Sequence, residues 1–163
     1  MANTTFSGAV RSQNGFQTIS VDSTTGAVTT TATLGAATSV TTLTATGAIT
    51  STGTGGVGYA TGAGGAVTQG TSRTTGVTLN KRCGAITMFT AAGSATAASF
   101  TVTNSTVGAN DVIILNQASG TNLYVLLVTA VSAGSFTVTF YTTGGTTSDT
   151  PVINFAMIDG VAA

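Results

Sequence analysis

The sequence predicts an all-β protein, and three observations carry that reading. About 38 of the 163 residues are Thr, and Val, Ile and Phe supply most of the larger side chains; branching at Cβ or a flat ring suits a pleated surface. Glu is absent, and no stretch sets apolar residues at helical spacing. From about Val57 onward, short alternating runs are separated by turn signals rich in Gly and Asn.

Those runs define the expected strands in order. Residues 72–79 and 84–89 come first, then 98–103 with Phe100 and Val102 on one face. Residues 111–116 and 123–131 follow. Residues 135–141 alternate Phe136, Val138 and Phe140, and 152–158 complete the set. Gly108-Ala109-Asn110, Gly120-Thr121-Asn122, Ala133-Gly134 and Gly144-Gly145 punctuate them. Seven short strands over residues 57–163 predict a β-sandwich or jelly-roll-like domain. In two runs the alternation fails: residues 112–115 and 124–128 are apolar on both faces. Such a strand is either covered on both sides or turned toward another subunit.

Residues 1–56 have a different texture. Thr, Ala, Ser and Gly dominate, and Thr25-Gly26-Ala27-Val28-Thr29 recurs as Thr46-Gly47-Ala48-Ile49-Thr50. Two copies are too few for a repeat architecture. The segment reads as an extended Thr-rich arm whose few large apolar side chains do not offset the backbone entropy of ordering it. It is therefore expected to gain order from neighbouring chains, by exchanging strands or lying on a partner surface. Gly53-Thr54-Gly55-Gly56-Val57-Gly58 reads as a hinge. It lacks the Gly-Lys-Ser/Thr ending and strand–helix setting of a phosphate loop.

Charge is scarce, and its scarcity excludes functions. Arg11, Arg73, Lys81 and Arg82 balance Asp22, Asp111, Asp149 and Asp159, and there is no His. Acid–base catalysis needs titratable groups in contact, whereas these acids are scattered. Zinc and iron sites need imidazoles or several thiols, calcium needs convergent oxygens, and neither pattern is present. Nucleic-acid binding calls for a basic footprint, and a bilayer span for about 20 apolar residues. The expectation is a non-enzymatic protein with no metal, cofactor, nucleic acid or membrane partner. Met1 is followed by no basic and apolar leader, so synthesis in a cytoplasm is expected. There the unpaired Cys83 would be a small buried apolar residue.

Individual polar residues have ordinary readings. Asp22 and Asp149 stand among turn residues and are expected to bond nearby backbone N–H groups. Lys81-Arg82 falls between two strands and reads as a solvated turn. Tyr59, Tyr124 and Tyr141 read as strand packing in preference to a sugar-binding platform.

Three stretches carry a resemblance. Val57-Gly58-Tyr59-Ala60-Thr61-Gly62-Ala63-Gly64-Gly65-Ala66-Val67-Thr68-Gln69, continuing through Thr71-Ser72-Arg73-Thr74-Thr75-Gly76-Val77-Thr78-Leu79-Asn80 and Gly84-Ala85-Ile86-Thr87-Met88, resembles a module of tailed-phage structural proteins. The ending Val152-Ile153-Asn154-Phe155-Ala156-Met157-Ile158-Asp159-Gly160-Val161-Ala162 matches it too. Phe6-Ser7-Gly8-Ala9-Val10-Arg11-Ser12-Gln13-Asn14-Gly15-Phe16 is similar to the start of small phage virion proteins, with Ala9 where Pro is more familiar. The resemblance implies a capsid decoration, or cement, protein of the virion surface. It would act as a homotrimer that binds the major capsid protein in the assembled shell and bridges capsomers. The alternative it implies is a head or tail fibre binding host glycans. No catalytic residues come with it. The expected capsid or subunit contacts are Phe6, Val10, Arg11 and Phe16 in the arm, the pair Lys81 and Arg82, and Ile113, Leu115 and Leu126 in the doubly apolar strands.

Overall fold

The structure is a computed structural model describing residues 18–31, 45, 47–51, 54 and 56–162. The chain divides into two units, Met1–Thr50 and Ser51–Ala163. Among the described residues every regular element is a strand, and the all-β expectation holds.

In the first unit, β1 (Thr18–Val21) and β2 (Val28–Thr31) form an antiparallel hairpin with Val21 opposite Val28. Its turn is built by Asp22, as the sequence suggests. One carboxylate oxygen accepts the N–H groups of Thr24 and Thr25, both at 2.8 Å. Gly26 takes a φ of 71°, a left-handed conformation that suits Gly, and its N–H donates back to the Asp22 carbonyl. The N–H groups of Thr25 and Thr24 also hold the Asp22 carboxyl below its ordinary pKa. The second pentapeptide makes no matching hairpin at its described end, since Ala48, Ile49 and Thr50 lie outside any strand. Phe6, Val10, Arg11 and Phe16 lie outside the described residues, as does most of the expected arm.

The second unit contains two four-stranded sheets. In one, the order is β3 (Gly64–Thr68), β5 (Cys83–Thr87), β12 (Val152–Ile158), β8 (Val112–Ser119). In the other it is β4 (Val77–Thr78), β7 (Ala98–Thr103), β10 (Ser135–Gly144), β9 (Leu123–Ser132). Each sheet is antiparallel except at one edge, where β3 and β4 run parallel to β5 and β7. A small ladder joins β6 (Ala91–Ala92) to β11 (Ser148–Asp149).

Alternation decides what fills the space between the sheets. Ile86, Ile113, Ile153, Phe155 and Met157 come from the first sheet and Val77, Phe100, Val102, Tyr124, Phe136, Val138 and Phe140 from the second, in one buried cluster. Phe136 and Phe155 meet across it, ring centroids 5.5 Å apart and tilted by 56°. Gly65 and Gly84 are required here. A Cβ on Gly84 would come within 2.7 Å of both the Gly65 carbonyl oxygen and the Leu79 side chain, so their bareness admits Leu79 against the core.

Two expectations change. Residues 72–79 form a strand only at Val77–Thr78, because Ser72 and Thr75 close a turn through backbone and hydroxyl bonds that swings Arg73 inward. Conversely β3 forms in the glycine-rich stretch, where Gly64 and Gly65 mask the strand pattern. The runs at 98–103 and 152–158 coincide with β7 and β12.

Candidate functional site

The charged residues of the second unit are brought together mainly in pairs. Arg73 is buried, and its guanidinium reaches acceptors on three segments. Nε donates to the Phe89 carbonyl at 2.9 Å, Nη1 to the Tyr124 hydroxyl at 2.6 Å, and Nη2 to the Ala91 carbonyl at 2.5 Å. Nη2 also meets the carbonyl and a carboxylate oxygen of Asp149, each at 2.8 Å. The guanidinium carbon stands 5.4 Å from the centre of the Tyr124 ring. Tyr124 donates its hydroxyl to the same Asp149 oxygen at 2.7 Å, and the backbone N–H groups of Thr121 and Asn122 hold the other. A planar fork with five donors suits this setting, where a lysine could not. Gln69 fixes the approach: its amide donates to the Arg73 and Thr75 carbonyls and accepts from the Phe89 N–H.

Burial raises the pKa of Asp149, but hydrogen bonds from Tyr124, Asn122, Arg73 and Thr121 outweigh it and hold the carboxyl at about 2. Burial, and then the bond to Asp149, push the Tyr124 hydroxyl up. Asp149 thus bonds backbone as expected, though on the segment around Asn122 and not on its own turn. Its ion pair with Arg73, 76 positions away, had no local signal.

The depressed Asp149 value sets an acid dependence. An unfolded chain takes up this proton near pH 3.8 and the folded one only near 2, so the stabilisation is present above about pH 4 and lost as pH falls toward 2. The gap is worth roughly 2 kcal/mol. Urea midpoints recorded between pH 7 and 2 are expected to fall mainly in that window, and Asp149→Asn to flatten the fall. An equally steep acid loss in the variant would remove Asp149 as its source.

The other acids are also engaged. Asp111 accepts the N–H groups of Gly108 at 2.8 Å and Gly160 at 3.1 Å, and these bonds hold its carboxyl below the ordinary value. Asp159 forms an ion pair with Arg82, which also donates to the Thr106 carbonyl. Lys81 lies exposed in the β4–β5 turn with its ammonium on the Gly62 carbonyl. Among the described residues no three His, Cys, Asp or Glu side chains gather as metal ligands. Cys83 is half-buried, not fully buried as expected, because odd positions of β5 point away from the core.

The doubly apolar strands resolve by one position. Ile113 is 8% exposed and belongs to the core, and Leu115 and Leu126 pack against it. Their neighbours face outward instead: Val112 at 55%, Ile114 at 51% and Leu127 at 46% exposed. Ile158 stands beside Val112 on the adjoining strand and is exposed too. The outer side of the second sheet is hydroxylic, with Thr139 bonded to Ser99 at 2.7 Å and to Thr129 at 2.8 Å. The three tyrosines form no common platform. Tyr124 is core and Tyr141 half-buried on β10, while the partly exposed Tyr59 bonds the Met157 carbonyl and lines a groove with Arg82, Ile158 and Asp159.

Compared with protein-family models, curated proteins and solved structures, the chain gives no match.

Proposed function

We propose that the protein is a bacteriophage capsid decoration protein: a homotrimer, made in the host cytoplasm, that binds the assembled shell at the virion surface and bridges capsomers. In this reading the two-sheet unit is a β-sandwich module and the Thr-rich segment is the arm that contacts neighbouring chains or the shell. The observation that carries it is how the second unit uses its side chains. Its acids are spent on internal bonds, whereas apolar and hydroxyl groups face outward. A surface of that kind suits a mechanical role in contact with other proteins. Binding only the assembled shell would stabilise it by mass action, with little dependence on salt.

Particles lacking the protein are expected to release their genome at a lower temperature than decorated ones, and adding purified protein back should restore the difference. Equal release temperatures with and without it would sink the decoration role.

The groove beside Tyr59 favours a second reading, a head or tail fibre that binds host glycans. An exposed aromatic ring next to the Arg82–Asp159 pair offers a stacking face and planar hydrogen-bonding groups. Copy number separates the two: hundreds per particle fit decoration, a few dozen fit a fibre.

A further inference from the structure

Residues 91–98 read Ala-Ala-Gly-Ser-Ala-Thr-Ala-Ala, side chains too small to fill the space beside Arg73. A cavity of about 250 Å³ remains there. Arg73, Tyr124, Ala92, Ala98 and Phe140 line it, and the exposed Ser94 and Thr96 stand at its mouth. The fold holds this segment in place. The Ser94 carbonyl accepts the Thr142 N–H at 2.8 Å, and the Ser94 hydroxyl accepts the Thr96 N–H at 3.1 Å.

Arg73 turns one edge of its guanidinium to the cavity. Its Nη1 partners, Ala92 and Tyr124, both line the space, whereas Phe89, Ala91 and Asp149, held by Nε and Nη2, do not. The Nη1 bond to Tyr124 is short at 2.6 Å, but the one to the Ala92 carbonyl spans 3.4 Å. A good N–H···O bond measures about 2.9–3.0 Å, so one donor of a buried cation is weakly met where the cavity lies. Charge then selects the kind of acceptor. Asp149 already pairs with Arg73, and no other charged residue lines the cavity, so an anion would find no net positive charge there. A neutral carbonyl oxygen suits the donor, and Ala92, Ala98 and Phe140 suit a small apolar group attached to it. The volume falls below the roughly 300–1,000 Å³ of sites for drug-sized ligands, which limits the occupant to about one ring with its substituents.

We infer that this cavity binds the acetamido group of an N-acetylated sugar. The carbonyl oxygen accepts from Arg73 Nη1, the methyl group packs on Ala98 and Phe140, and the ring hydroxyls meet Ser94 and Thr96 at the mouth. The site shares no lining residue with the groove beside Tyr59, and the inference rests on neither reading of function.

The test is a two-dimensional amide NMR titration of the full-length protein with N-acetylglucosamine. Saturable shifts are expected at Ser94, Thr96 and Ala98, and glucose or glucosamine at the same concentrations should leave these amides unmoved. Ala98 lies on the inward face of β7 with Phe100 and Val102, so Ala98→Leu puts bulk into the cavity. That variant is expected to bind at least tenfold more weakly with an unchanged circular dichroism spectrum. N-acetylglucosamine that moves none of these amides, or only those around Tyr59, overturns the site. Equal shifts from glucose overturn the acetamido contact, and N-methylacetamide binding as tightly as the sugar overturns a sugar as the ligand. Full binding by Ala98→Leu overturns the cavity as its place. The wild-type titrations decide the matter without the variant, and none of these results bears on the decoration role.

Discussion

Arg73→Met is expected to destabilise the Ser51–Ala163 unit by about 3–5 kcal/mol, because it leaves the Asp149 carboxylate buried without its cation. The loss is larger than a surface ion pair would give, since the carbonyls of Phe89 and Ala91 lose their donor in the same step. For a domain of this size the melting temperature should drop on the order of 10–20 °C. Arg73→Lys should recover little, because a single ammonium cannot reach acceptors spread over several segments. Calorimetry on the three proteins checks this. A loss below about 1 kcal/mol for Arg73→Met would mean that water or a relaxed Asp149 replaces the guanidinium.

Phe136→Ala is the second large effect. The ring is 1% exposed and meets Phe155 across the space between the two sheets, so truncation opens a cavity that neither sheet can close alone. A cost of about 3–5 kcal/mol is expected, read as a lower urea midpoint at unchanged slope. Val161→Ala, at a residue 93% exposed, should move the midpoint by no more than about 0.5 kcal/mol equivalent. If the two variants behave alike, Phe136 is not a keystone of the core.

The strands that alternate were legible in the sequence, and those that do not were not. Phe100, Val102, Phe136, Val138 and Phe140 announce their buried face, because every second residue on their strands is polar or small. In β8 and β9 both faces are apolar, so the alternation that would mark the buried face is lost. That is why the sequence does not separate Ile113, which is core, and the partly buried Leu115 and Leu126 from the outward-facing Val112, Ile114 and Leu127. Shifting a strand by one residue exchanges its two faces, and only the partner strands settle the choice. β3 was hidden for another reason: Gly64 and Gly65 carry no side chains to show a strand pattern, and only the fold reveals that Leu79 needs the space. Arg73 was illegible because its partner, Asp149, is a neighbour only in the folded unit. The Asp22 turn was legible because it is local, each of its partners lying within a few residues.

The place of β12 in its sheet has a consequence for timing. It lies between β5 and β8 and, among the described strands, is synthesised last. Until it leaves the ribosome, β8 has two open edges and β5 lacks its antiparallel neighbour. The nascent chain therefore cannot complete this sheet, and an unfinished β8 is exposed to mispairing with other growing chains. Maturation of the unit therefore waits for β12, the strand that slots into the middle of this sheet.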